Sequence, residues 1–273
     1  MTLATITLAS AARLLHVQRQ QARLAADGGG VHRIVVWLDA EPPADDLRGA
    51  TVVHVPPHGD GLRLAAGRNA GVDAAIAAGC DELVLLDADC IAGPALLDRY
   101  AHAMRAMPQG LHAGPVTYLD EGVVVDADTD LAPLTRPHAA RPSPPDGELV
   151  VAPREQQLLF WSLSFATTAG TWRSIGGFDE GYVGYGGEDT DFAMRAAEAG
   201  AALTWVGGAH AYHQHHPTSA PPWQHLDDIL RNGRRFAARW GFWPMEGWLR
   251  AFSEAGAIVE VDGDWRRTGV QAP

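Results

Sequence analysis

Three groups of residues in this 273-residue chain have the types and spacing that chemistry requires. The first is Asp87-Ala88-Asp89. In extended backbone, residues two apart share a face about 6.5 Å apart. Two carboxylates so placed repel unless a cation lies between them, and hard oxygen ligands suit Mg²⁺ or Mn²⁺. The same triplet also fits two aspartates that merely end a strand and cap a turn.

The second group runs from Gly176 to Asp191 and concentrates six glycines and five acids. Glycine lets the backbone approach a ligand closely. Glu188, Asp189 and Asp191 stand where a helix begins, and its dipole favours negative charge there. The third group is His210-Ala-Tyr-His213-Gln-His215-His216, within a stretch (210–225) that holds five of the twelve histidines. Imidazole is a frequent metal ligand, although His-rich surface loops without metal are commoner. No HExxH helix occurs, which excludes a zincin-type protease.

The elements that must position these groups alternate along the first half. The spacing predicts strands at 3–9, 33–38, 51–55 and 82–86, with Ser10 as an N-cap. Helices are predicted after Ser10, ending at Gly28-Gly29-Gly30, and over 65–79 and 94–106. This rhythm implies an α/β fold, a mostly parallel sheet flanked by helices, whose ligands gather beyond the strands' carboxyl ends. Asp39, Asp87 and Asp89 all fall at such ends. Prolines at 133, 137, 142, 144 and 145 mark 126–149 as an extended segment, either a loop mobile until a ligand closes it or a passive linker. Beyond it lie an apolar run, 158–166, then a helix at 190–199, a strand at 201–206 and helices at 223–240 and 245–255. This end of the chain holds Trp223, Trp240, Trp243 and Trp248.

Composition narrows the function. Acids outnumber bases 33 to 21, for a net charge of −12, and a field of that sign repels nucleic acid. All the bases are Arg. Without Lys the chain can be neither a Schiff-base enzyme nor a Walker A nucleotide enzyme nor a kinase of the usual plan. Only Cys80 and Cys90 occur, so no disulfide framework is expected, and cytoplasmic location is the default. No apolar run is long enough for a membrane span.

Taken in order, Gly67-Arg68-Asn69-Ala70-Gly71, Asp87-Ala88-Asp89, Gly176–Glu180, Gly184–Arg195 and Ala211–Pro217 resemble a family 2 glycosyltransferase of the GT-A fold. The last three blocks also resemble the catalytic segment of β-1,4-galactosyltransferases and chondroitin-type polymerases. The resemblance spans roughly 30–217. It implies a Rossmann-like GT-A domain over 1–217 (nucleotide-sugar half 1–120, acceptor half 150–217) and a helical extension over 218–273. It also implies a metal-dependent, inverting hexosyl transfer from a nucleotide sugar, most simply a UDP-sugar, to a carbohydrate, peptide or lipid-linked acceptor.

The roles that follow are specific. Asp89 and His213 would hold Mn²⁺ or Mg²⁺, with Asp87 and His210 as further ligands. Asp39, Arg68, Asn69, Asp87, Asp89 and Gly187 would bind the donor. Asp189 would be the general base, with Glu188 beside it, while Asp191 turns away and His215 and His216 stand by. A nucleotidyltransferase and a non-catalytic nucleotide-sugar-binding protein are the alternatives; the missing Lys and the intact acids count against them.

Overall fold

Short apolar runs rich in β-branched residues form the sheet. In the computed structural model, which describes residues 2–26, 30–44, 47–58 and 61–269, the first are β1 (Leu3–Ala9), β2 (His32–Trp37), β3 (Thr51–His54) and β4 (Glu82–Leu86). Helices α1 (Leu14–Ala26) and α2 (Leu64–Ala77) connect them. Then come β5 (Cys90–Ala92), α3 (Leu96–Ala106), β6 (Leu111–Ala113), β7 (Val116–Tyr118) and β8 (Leu149–Val151). The acceptor half holds β9 (Ser164–Thr168), α4 (Ala169–Ile175), α5 (Glu188–Glu198), β10 (Leu203–Val206) and β11 (Ala211–His213). The chain closes with α6 (Leu226–Trp240), α7 (Glu246–Glu254), β12 (Ile258–Val261) and β13 (Asp264–Arg267).

Eight strands form one sheet in the order β3-β2-β1-β4-β9-β6-β10-β8. The first four run parallel, with Ile6 beside Ile34 on one side and Leu85 on the other. β9 runs against both β4 and β6, and β8 runs against β10 at the edge. The result is the mostly parallel α/β sheet that the sequence predicts.

Both faces are covered, which is why β4 is buried throughout. On one face α2 packs Ala65, Val72 and Ala75 against Ile6, Ile34 and Val36. Its small residues allow close approach: a Cβ on Gly71 would stand 2.4 Å from the Ile6 methyl. On the other face α3 brings Leu96, Tyr100 and Met104 against Val84 and Leu86.

A second, three-stranded sheet, β5-β11-β7, sits at the carboxyl end of β4. Its strands are three residues each, too short for any periodicity to reveal.

Two expectations change. Ser10 does not cap through its side chain; the Asp39 carboxylate takes the Ala11 N–H instead, at 2.5 Å. The C-terminal part is not wholly helical, because β12 and β13 form a hairpin. The segment 126–149 is irregular but anchored. Thr135 bonds Tyr212, the Arg136 N–H donates to Thr117, and His138 N–H donates to the Val116 carbonyl. Of the glycines expected to end α1, Gly28 and Gly29 lie outside the described residues, and Gly30 has φ +64°.

Candidate active site

The turn after β4 is fixed from beneath by buried polar groups. The Gln20 amide donates to the Asp87 and Cys90 carbonyls at 2.7 and 2.8 Å. The Gln214 N–H donates to the Asp89 carbonyl at 2.7 Å, and the Asp87 N–H to that of Leu163. Both aspartates therefore have defined positions at the strand's end.

The small sheet then brings the histidines in. β11 pairs antiparallel with β5, which sets His213 opposite Cys90, one residue from Asp89. His213 Nε2 stands 3.5 Å from one Asp89 oxygen, and His216 Nε2 stands 3.3 Å from the other. Arg13 approaches the same carboxylate at 3.5 Å. The ring of His213 also stacks on Tyr118, its register partner on β7, at 4.5 Å.

Burial pushes the Asp89 carboxyl up, but the His216 hydrogen bond and the positive groups around it prevail and hold it at about 2. His213 is lowered, first by burial, while His216 is raised by its bond to Asp89. One ligand atom each from Asp89, His213 and His216 lie within 4.8 Å of one another. That spacing and the oxygen–nitrogen set fit a divalent ion. Two imidazoles favour Mn²⁺ over Mg²⁺, which prefers oxygen.

Across the cleft, the glycine-rich turn delivers the second group of acids. Gly187, with φ +89°, is the N-cap of α5, and Glu188 and Asp189 occupy its first turn. The Arg68 guanidinium, 5% exposed, joins the two sides. It donates to Glu188 at 3.2 Å and approaches Asp87 at 3.6 Å, over the ring of Phe178. The second Glu188 oxygen is buried without a hydrogen-bond partner. Burial, reinforced by Asp89, Glu188 and Asp189, pushes Asp87 up to about 7 against the pull of Arg68. Burial and the neighbouring Glu188 push Asp189 up to about 6, although Arg68 and the Thr190 N–H and hydroxyl draw it down. The helix dipole alone leads one to expect a lower value; burial outweighs it.

The turn itself is gripped by α6. Arg235 makes a two-point pair with Asp179 at 2.8 and 2.9 Å, and Asp228 accepts the Tyr185 N–H at 3.1 Å. The Asn232 amide donates to the carbonyls of Val183 and Tyr185, both at 3.1 Å. This explains Gly184: its φ is +72°, and a Cβ there would lie 2.2 Å from the Asp228 carboxylate.

Residues 159–217 match the family described as the N-terminal domain of galactosyltransferase. Among solved structures, S. aureus TarS shares 12% identity over 93% of this chain and 42% of its own, with a TM-score of 0.61. TarS residues 1–349 in complex with UDP give 11%, 87%, 66% and 0.57. GalNAc-T7 with UDP, GalNAc and Mn²⁺ gives 14%, 93%, 51% and 0.56. The fold is that of a GT-A-type glycosyltransferase. The chain spans 42% to 66% of the length of these three structures. No curated protein matches it by sequence.

Within the GT-A frame, the expected site residues divide. Arg68 brings Asp87 together with Glu188 and its neighbour Asp189, while His213 meets Asp89 on the same turn as Asp87. His210 does not join the metal cluster: its Nε2 bonds the Thr117 hydroxyl at 2.7 Å. Asp87 faces Arg68 and stands outside the three-residue set. His216, expected to be a bystander, lies in that set, whereas exposed His215 does not.

The Asn69 amide clamps the Phe178 N–H and carbonyl at 2.8 and 2.9 Å. Asp39 is bound to the start of the turn after β1. Asp191 does turn away. It is fully buried, pairs with Arg195 at 2.7 Å and accepts the Trp240 indole N–H at 2.9 Å. The α6 residues that hold the glycine turn went unseen because their partners lie some 40 or more positions away. His216 left one signal, its place three residues beyond His213.

Proposed function

We propose that the protein is a metal-dependent, inverting glycosyltransferase that moves a sugar from a nucleotide sugar, a UDP-sugar in the simplest case, to an acceptor hydroxyl. One observation carries this reading: Arg68 pairs with both Asp87 and Glu188, which brings the turn bearing the Asp89–His213–His216 cluster together with Glu188 and its neighbour Asp189. The UDP and Mn²⁺ bound to GalNAc-T7 support it.

Asp89, His213 and His216 would hold the divalent ion, which supplies positive charge to the departing diphosphate. Arg13 pairs with Asp89, so it stands ready to bind a phosphate oxygen once the cation takes the carboxylate. Arg68 holds Asp87 and Glu188 in place. The open oxygen of Glu188 accepts a sugar hydroxyl, which relieves its lack of a partner. Asp189, ionised at neutral pH, accepts the acceptor's proton as that oxygen attacks the anomeric carbon. Attack opposite the leaving group inverts the configuration, and no carboxylate nucleophile is required. The two cysteines are buried and free, and we assign the protein to the reducing cytoplasm. Among the described residues no helix is long and apolar enough to cross a membrane.

The test is UDP release from UDP-sugars, with and without Mn²⁺ and a panel of sugar acceptors. Metal-dependent, acceptor-stimulated release supports the reading. Release of pyrophosphate from a sugar phosphate and a nucleoside triphosphate would show a nucleotidyltransferase instead.

A further inference from the structure

One buried charge has no counterpart. Arg141, on the irregular segment between β7 and β8, is 3% exposed. Its Nε, Nη1 and Nη2 all lack a hydrogen-bond partner among the described residues. What supports the guanidinium is aromatic: the rings of Trp161 and Trp205 lie 5.4 and 5.3 Å from its Cζ. Trp205 is itself fixed, its indole N–H donating to Gln156 at 2.7 Å. A guanidinium offers five donors in a rigid fork, and buried charges are normally paired. Leaving all five unused is costly unless a ligand takes them up.

The position suggests which ligand. The groups that act on Arg141 from the packed elements are Tyr100 of α3, Tyr118 of β7, Cys90 of β5 and, as carboxylate, Asp189 of α5. A run of rings connects it to the metal cluster: Trp161 meets His138 at 5.4 Å, His138 meets Tyr118 at 5.3 Å, and Tyr118 stacks on His213. In the proposed reaction the diphosphate takes the metal cluster and Arg13 as its partners, and these gather at Asp89. The anion for Arg141 therefore belongs nearer Asp189, where the two sugars meet.

We propose that Arg141 binds a carboxylate carried by a sugar substrate, forming an acidic-sugar subsite beside Asp189. This rests on reading the cleft as a site of glycosyl transfer. A carboxylate matches the guanidinium fork with two parallel hydrogen bonds. The two indole faces hold the fork's plane in advance. Because the nitrogens are out of water's reach, the His138–Tyr118 layer must part to admit the ligand. The carboxylate belongs to either the donor sugar or the acceptor, and the experiment separates them.

The experiment is calorimetric binding with Mn²⁺, using UDP, UDP-glucose and UDP-glucuronate, then free glucose and glucuronate with UDP already bound. The wild type should favour one glucuronate probe over its neutral counterpart by roughly 10- to 100-fold. A preference among UDP-sugars assigns the carboxylate to the donor, and one among free sugars to the acceptor. Arg141→Met keeps the apolar stem between the indoles; it should abolish the preference while UDP affinity stays within about twofold. Its melting temperature should hold or rise, because an uncompensated buried charge has gone. A lower melting temperature with the preference intact would make Arg141 a packing residue and overturn the proposal. Equal loss of UDP affinity would make it a diphosphate ligand, and a wild type indifferent to the carboxylate would overturn it too. If UDP and Mn²⁺ do not bind at all, the reading of the cleft itself fails.

Discussion

The two walls of the cleft are built by different means. Asp89 and His213 stand on strand ends, and backbone pairing places them: β11 against β5, and the β4 turn against Gln20 and Gln214. Glu188 and Asp189 open α5 directly after a glycine turn, and that turn is held largely by side chains of α6. Main-chain pairing therefore fixes the wall that carries the proposed metal ligands. The base wall depends on a few exchangeable polar contacts, so it is the side where substitutions remote from the chemistry should be felt. Closing motions of active sites draw on such weakly held regions.

The largest effect should come from the proposed base, Asp189. Asp189→Asn keeps shape and hydrogen bonding but cannot take a proton. We expect kcat to fall by about 10²–10⁴, with UDP affinity nearly unchanged by calorimetry. In the wild type, kcat should decline as pH falls through about 6, where Asp189 gains a proton. Protonation disables a base, so the loss lies on the acid side, and the substitution should remove that limb. A variant that keeps most of its kcat would pass the role to Glu188.

Next in size are the proposed metal ligands. Asp89→Ala and His213→Ala should each weaken Mn²⁺-dependent UDP binding by roughly 100-fold, and chelation should do the same to the wild type. His216→Ala should cost about tenfold. If it costs nothing, Asp89 and His213 hold the ion without a third protein ligand.

Arg235→Ala tests the contrast directly, since it removes the two-point grip on Asp179 and touches neither the metal wall nor Asp189. On an exposed pair the stability cost should be about 1 kcal/mol or less. The turn should loosen nonetheless, lowering kcat severalfold while Mn²⁺ and UDP bind as before. Loss of metal affinity in this variant would mean that the two walls are not independent.

The same contrast governs what the sequence disclosed. The strands β1 and β4 and the helix α2 could be read because each is a long, mostly apolar run. Asp87, Asp89, Glu188 and Asp189 stood out by type and position. The strands β5, β7 and β11 escaped notice because three residues hold no period, yet their pairing decides which histidine meets Asp89. The α6 contacts escaped for a different reason: nothing local marks Asp228 or Asn232 as partners of a turn more than 40 residues earlier. In sequence, His210 and His216 are each three residues from His213, and no rule of spacing could choose between them.

That choice gives the smallest predicted effect. His210 leaves the cluster because its ring nitrogen bonds the Thr117 hydroxyl, whose oxygen also accepts the Arg136 N–H. Burial also lowers its pKa to about 4, so it stays neutral at working pH and adds no charge to the cleft. His210→Ala should leave Mn²⁺ and UDP affinity within about twofold and remove one neutral hydrogen bond, costing about 1 kcal/mol of stability. Paired with His216→Ala, it makes a decisive comparison, because the two substitutions delete the same ring equally far from His213 in sequence. Metal affinity should respond to one of them alone. Were His210→Ala the variant that lost Mn²⁺, the β11–β5 register that faces His213 toward Asp89 would have to differ in the metal-bound protein, and the main-chain placement ascribed to the metal wall would go with it.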